Sequence, residues 1–302
     1  MTFSPTVRRT ISATQALSAG ASAETIPDML PVWDLTHLYP AMDAPAFLKD
    51  FADCDAECKA FAAAYRGRLD AIAAAPGASA ALAAAVARYE KLDDLMGRLM
   101  SYAGLVYSGD TTDPARAKFY GDTQERITAA SSDLLFFQLE LNRIDDAALA
   151  AAMASAPLAH YRPWLEDIRK EKPYQLEDRL EQLFHEKSVT ARGAWNRLFD
   201  ETIAALRFHV GAKELTLEPV LNLMQDPAEP VRKEASAAVA KTLQANLRTF
   251  ALITNTLAKD KEIGDRWRGF EDVADSRHLS NRVERPVVDA LVSAVQIGRA
   301  HV

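Results

Sequence analysis

From Pro40 onwards, apolar side chains recur every three or four positions along this 302-residue chain, a period that only helices satisfy over such a length. Phe47, Phe51, Cys54, Cys58 and Phe61 fall on one stripe of a predicted helix over Ala44–Tyr65. Ser79–Tyr107 reads as a long helix whose Gly97 and Gly104 share a face and would admit a close neighbour. A turn at Ser108–Asp113 follows, where Thr112 or Asp113 can cap the next helix with Pro114 in its first position. Ala115–Arg143 continues as helix, and Leu134, Leu135, Phe136, Phe137 and Leu139 make part of it apolar nearly all round, as in a segment buried on several sides. These two long helices are expected to pair antiparallel.

Shorter helices are predicted over Asp145–Ala154 and Pro157–Glu171, with a break at Lys172–Pro173 before Leu176–Lys187. Ser188 or Thr190 can cap a helix running to Ala205. Leu206–Val210 and Glu214–Leu217 flank Gly211–Lys213 and read as a hairpin. Its edge either pairs with an extended peptide or serves as a local spacer. Beyond a turn at Asp226–Pro227, Val231–Trp267 is predicted to be the longest helix, with Leu243, Leu247, Phe250, Ile253 and Leu257 in step and Lys259–Glu262 as a solvated turn. Phe270–Arg282 reads as a polar loop carrying Arg277, His278 and Asn281, which serve either substrate contact or local ordering. Glu284–Gln296 closes the pattern as a helix with Val287, Leu291 and Val295 on one face.

Apolar residues make up 49% and charged residues 25%, the mix of an ordinary globular protein. Forty-two acidic against thirty-five basic residues leave a net charge of −7, which argues against a nucleic-acid partner. The Ala-rich tract Ala71–Ala87 is interrupted by Pro76, Gly77 and Ser79, so no membrane span is expected. Residues 1–30 read as a disordered leader: Arg8–Arg9 is followed by residues too polar for an export signal. A cytoplasmic location follows, and Cys54 and Cys58 are expected as half-buried, reduced thiols.

His185–Glu186 begins an H-E-x-x-H pattern, but Val189 stands where the second histidine must be. That motif works because two histidines at i and i+4 grip one metal from the same helical face. None of the six histidines has a partner at such a spacing, so no zinc ligand and no catalytic base is assigned, and His185 reads as a helix-surface residue. Glu166–Asp167 and Glu177–Asp178 are adjacent on helices and therefore diverge, which makes them poor acid–base partners. Phosphate-cradling glycine motifs and the G-x-S-x-G nucleophile elbow are absent from the sequence.

LEDIRKEKPYQLEDRLEQLFHEKSVTARGAWNRLFDE (Leu165–Glu201) resembles the middle of the N-terminal half of oligoendopeptidase F family proteins, which are thimet-oligopeptidase-like zinc metallopeptidases. WDLTHLYP (Trp33–Pro40) and the stretch Val231–Glu284 are similar to further blocks of that family, in family order. The resemblance covers Pro31 to about Gln296 and implies a mainly α fold. That fold would be an elongated multi-helix lobe with one small β-hairpin, the N-terminal part of a larger helical zinc peptidase. It implies an N-terminal helical lobe over 31–160 and an incomplete peptidase domain over 161–296. The complete enzyme would hydrolyse oligopeptides with zinc, its ligands lying beyond this sequence; this chain would bind none. In family members the Arg277–Asn281 segment runs toward the catalytic half, making Arg277, His278 and Asn281 candidate substrate-channel residues. Ile297–Val302 (IGRAHV) reads as a translated sequencing adapter that does not continue the preceding helical pattern, so 297–302 is expected to be an artefactual tail, with a short natural tail as the rival. A rival function is a non-catalytic, all-helical peptide- or protein-binding module. The fate of the apolar faces on Val231–Trp267 and Glu284–Gln296 separates the two: an incomplete enzyme leaves them uncovered, a finished module buries them.

Overall fold

Helix dominates the computed structural model, which describes residues 33–300; the expected leader over 1–30 lies outside the described residues, as do His301 and Val302. The first group of helices comprises α1 (Pro45–Tyr65), α2 (Leu69–Ala74), α3 (Ala78–Gly109), α4 (Pro114–Ser132), α5 (Leu135–Arg143), α6 (Asp146–Met153), α7 (Ala156–Ala159) and α8 (Arg162–Arg169). A 3-10 turn at Lys172–Tyr174 leads to α9 (Asp178–Lys187), a π turn at Val189–Gly193 and α10 (Ala194–Ala205). Strands β1 (Phe208–Val210) and β2 (Lys213–Leu215) follow, then α11 (Leu217–Leu223), α12 (Glu229–Ala245), α13 (Leu247–Arg268), α14 (Asp275–Ser280) and α15 (Arg285–Ala300).

The stripe read from the sequence is the buried face of α1: Phe47, Phe51, Cys54, Cys58 and Phe61 are all enclosed. They meet α3, α4 and α5 in the larger of two apolar cores, which extends through Leu158, Leu165 and Ile168. Phe61 packs edge-on against Phe137 with ring centres 5.0 Å apart, and Phe137 stacks on Tyr89 at 4.9 Å. Cys54 and Cys58 are free thiols with no exposed surface, more deeply set than the half-buried pair expected, and they act as small apolar core residues. Asp113 caps α4 as expected, its Oδ1 accepting from the Ala115 N–H at 2.7 Å with Pro114 in the first position.

Two predicted long helices are each broken in two. Ser131 and Ser132 both turn their hydroxyls back onto the Thr128 carbonyl, at 3.1 and 2.9 Å, competing with the helical ladder. Arg66 draws on the Asp133 carbonyl at 3.0 Å, and the chain restarts as α5 after Leu134. The predicted helix over Val231–Trp267 ends instead at Asn246, whose φ of −105° and ψ of 9° leave the helical region. Its side-chain amide donates to the Thr242 carbonyl at 3.0 Å. Among the described residues the longest helix is therefore α3, with 32 residues.

Gly97 and Gly104 do not mark a close helix contact. Gly97 has no atom within 4 Å of a notional Cβ, and Gly104 meets only Tyr120 at the ordinary distance of 3.9 Å. The α3–α4 pairing is secured instead by Tyr107 stacked on Tyr120, with ring centres 4.9 Å apart.

The hairpin pairs Phe208 with Leu215 and Val210 with Lys213, turning through Gly211 at a φ of 58°. Phe208 and Val210 point into the second, smaller core, made with Leu206, Val220, Ala235 and Ala238, while His209 faces outward. Glu234 of α12 accepts the Gly211 N–H at 2.9 Å and holds the turn against that helix. Leu217 starts α11 rather than ending a strand. At the other end, α15 continues through Ala300, so Ile297–Ala300 extend the helix that the sequence pattern was expected to stop at Gln296. Ile, Arg and Ala all propagate a helix readily, and Gly298 alone opposes it.

Candidate functional site

Two adjoining cavities lie where α9, α13 and α14 meet, and both are bounded by Arg268, Phe270 and Ser276. The first, about 460 Å³, is walled by Tyr89 and Asp93 of α3, Ser131 of α4, Gln138 of α5 and Glu181 and His185 of α9. Arg268 organises it. Its guanidinium meets both oxygens of Glu181 at 2.6 and 2.7 Å, reaches the Tyr174 carbonyl at 3.2 Å and lies 5.8 Å from the Phe184 ring centre. Glu181 also accepts the Leu176 N–H at 2.9 Å. Burial pushes the Glu181 carboxyl upward, but the Arg268 fork and the Leu176 N–H together outweigh it and hold the acid below its usual range. The hydrogen bond to Glu181 in turn raises Arg268. Burial, helped by the Asp93 charge, raises the Tyr89 hydroxyl to about 12, so it stays a neutral phenol and accepts from Gln138 at 3.0 Å.

His185 is not the free surface residue that the sequence suggested. It is part-buried, with Nε2 2.8 Å from Ser131 Oγ and 3.2 Å from the Thr128 carbonyl. Because Ser131 already donates to that carbonyl, Nε2 carries the proton and donates across to α4. Glu186, beside it, is exposed and accepts from Gln182 at 2.9 Å, so the two residues of the half-motif point to different surroundings. His160 stands edge-on to Tyr161 at 4.9 Å, and His209 faces Glu214 across the hairpin at 3.9 Å. Among the described residues no three His, Cys, Asp or Glu side chains converge on one point. The described residues do not fit a catalytic zinc, which needs three such ligands and an open position.

The second cavity, about 820 Å³, opens on the other side of Arg268. Leu183, Phe184, Leu257 and Phe270 give it apolar walls, and Lys187, Arg192 and Arg277 line it with positive charge. Lys261 pairs with Asp265 and donates to Ser276 Oγ at 2.9 Å, tying α13 to α14. The π turn builds one wall: the Gly193 N–H reaches back to the Ser188 carbonyl at 2.9 Å, and Ala191 leaves helical geometry at φ −97° and ψ −112°. A Cβ on Gly193 would stand 3.0 Å from that carbonyl, a tight approach that glycine avoids. Neither Ser188 nor Thr190 caps α10 as expected; their hydroxyls return to the His185 and Lys187 carbonyls at 2.6 and 3.3 Å.

Of the three candidate channel residues, the structure brings only Arg277 to this cavity. The segment expected as a polar loop contains α14, and Arg277, His278 and Asn281 occupy or directly follow it. Asn281 is exposed, and its N–H closes the helix on the Arg277 carbonyl at 3.0 Å. Sequence reasoning missed Arg268, Lys187 and Arg192, whose only sequence signal was their charge on predicted helices.

A family model described as Oligopeptidase F matches residues 140–208. Oligopeptidase PepF of Bacillus subtilis (strain 168) is 24% identical over 213 residues, which span 68% of this chain and 32% of that protein. The fold is similar to the crystal structure of oligoendopeptidase-F from Enterococcus faecium, with a TM-score of 0.70 and 18% identity, over 83% of this chain and 49% of that one. The chain thus spans about a third of the curated relative and about half of the solved structure. Sequence match, relative and fold together support the oligoendopeptidase F family as the one this chain resembles.

Proposed function

We propose that this chain is the N-terminal, non-catalytic part of a cytoplasmic zinc metalloendopeptidase that hydrolyses oligopeptides, walling one side of the substrate channel. The observation that carries this reading is the uncovered apolar face of α15 in a chain whose fold matches half of an oligoendopeptidase. On α15, Val287 is 60% exposed, Leu291 65% and Val295 57%, whereas the stripe expected over Val231–Trp267 is mostly covered, Leu243 and Phe250 packing against the smaller core and Leu247 lying open. Only Ile253 of the stripe predicted on Val231–Trp267 is fully buried. Finished monomers rarely leave such a face open, and further helices of a larger fold would cover it. The boundary between a helical lobe over 31–160 and the start of the peptidase domain at 161 belongs to the same proposal.

The zinc of such an enzyme would find its ligands elsewhere, and this chain's residues would confine the peptide. No helix among the described residues is long and apolar enough to cross a membrane, and two reduced core thiols suit the cytoplasm. The test is turnover of a quenched fluorogenic peptide by the purified 302-residue chain, with and without added zinc. No turnover is expected in either case; chelator-sensitive cleavage would overturn the reading. The second cavity favours one alternative, a peptide-binding module without chemistry, but the open face of α15 counts against it, since a finished module would bury that face.

A further inference from the structure

We propose that the cavity between α9, the π turn, α13 and α14 binds the free C-terminal carboxylate of a short peptide whose last side chain is apolar. The proposal rests on the reading that this chain handles oligopeptides, and it assigns one end of that peptide to one place.

The charge distribution selects an anion. Lys187, Arg192 and Arg277 come from three separate elements, yet all line this cavity, and none has a carboxylate partner among the described residues. In a chain of net charge −7, three unpaired cations around one concavity are a local inversion of sign. The other basic residues of the wall are spoken for, Lys261 by Asp265 and Arg268 by Glu181.

The negative groups limit how much charge the anion can carry. Asp260 also lines the cavity and has no cationic partner, so the unpaired groups amount to three positive and one negative. That net of two positive charges suits a small anion such as a terminal carboxylate and opposes a polyphosphate or a strongly acidic peptide. Arginine forks match the two oxygens of a carboxylate, and lysine adds a point charge.

The remaining wall selects an apolar neighbour for that carboxylate. Leu183, Phe184, Leu257 and Phe270 supply it, and the volume of about 820 Å³ falls within the usual range for small-molecule sites. The π turn places Arg192 between the non-helical Ala191 and Gly193, whose N–H closes on the Ser188 carbonyl at 2.9 Å and ties down the backbone that carries one of the cations.

The test compares N-acetyl-Ala-Leu-Phe as the free acid and as the C-terminal amide, titrated calorimetrically into the full chain at low salt. The acid should bind about tenfold more tightly than the amide, since the amide forfeits the charge-assisted bonds. Replacing Arg192→Gln and Arg277→Gln together should remove that preference, and Asp260→Asn should strengthen binding of the acid. Arg192 and Arg277 are exposed, so circular dichroism should show the helical content unchanged. Equal binding of acid and amide would overturn the carboxylate site while leaving peptide binding intact. Failure of both to bind would overturn the peptide reading with it. A preference that survives the double substitution would also contradict the assignment.

Discussion

Arg268 is the side chain on which the junction of α9 and α13 turns. Its Glu181 partner retains only 12% side-chain exposure, so removing the cation strands a carboxylate away from water. Arg268→Ala should therefore cost about 2–3 kcal/mol, measured as a shift in the urea midpoint. The same pair makes the junction pH-sensitive. Glu181 titrates below its ordinary range when folded, so its contribution is fully present above the unfolded carboxylate's value and drains away as pH falls through the folded one. Stability of the parent chain should fall with acidification more steeply than that of Glu181→Gln; parallel curves would contradict the assignment. Gly193→Ala tests the π turn at the same scale. Its Cβ would stand 3.0 Å from the Ser188 carbonyl, so the variant should lack the gain of about 1 kcal/mol that alanine brings at an unhindered helical position, read in the same assay.

At the scale of elements, α1 and the helices around it carry most of the packing. Phe61 has no exposed surface and touches the rings of Tyr65, Tyr89, Phe136 and Phe137. Phe61→Ala should cost about 3–5 kcal/mol, whereas Asp113→Ala, which removes the α4 cap and an exposed ion pair with Arg116, should cost about 1 kcal/mol. Thermal unfolding of the two variants side by side checks the ranking. The α1 stripe, the α4 cap and the hairpin were legible because each is written in a few neighbouring residues. The breaks at Leu134 and Asn246 were not, because Ser131, Ser132 and Asn246 interrupt the ladder with side-chain bonds while the apolar period runs on through them. The cavity walls were hidden for a different reason. Lys187, Arg192 and Arg277 look like solvated charges in sequence, and only the packing of α9 against α13 and α14 gathers them. His185 was misjudged in the same way, since its partners lie on α4, 54 and 57 positions away.

For the whole molecule, the resemblance read from three ordered blocks agrees with a fold that matches half of an oligoendopeptidase. What the described residues supply is scaffold and cavity: helices, a hairpin, an ion-paired junction and an apolar face with nothing packed on it. His185, His160 and His209 are engaged with Ser131, Tyr161 and Glu214 respectively, each in different surroundings. The open face should bind a hydrophobic dye strongly, and Leu291→Lys with Val295→Lys should cut that signal with little change in the unfolding midpoint. An unchanged dye signal would show that the face is not the exposed surface described. The most direct measurement is the zinc content of the purified chain after dialysis against the metal. Far less than one ion per chain is expected, and one tightly held ion per chain, removed only by chelator, would overturn the assignment of this chain as a metal-free scaffold.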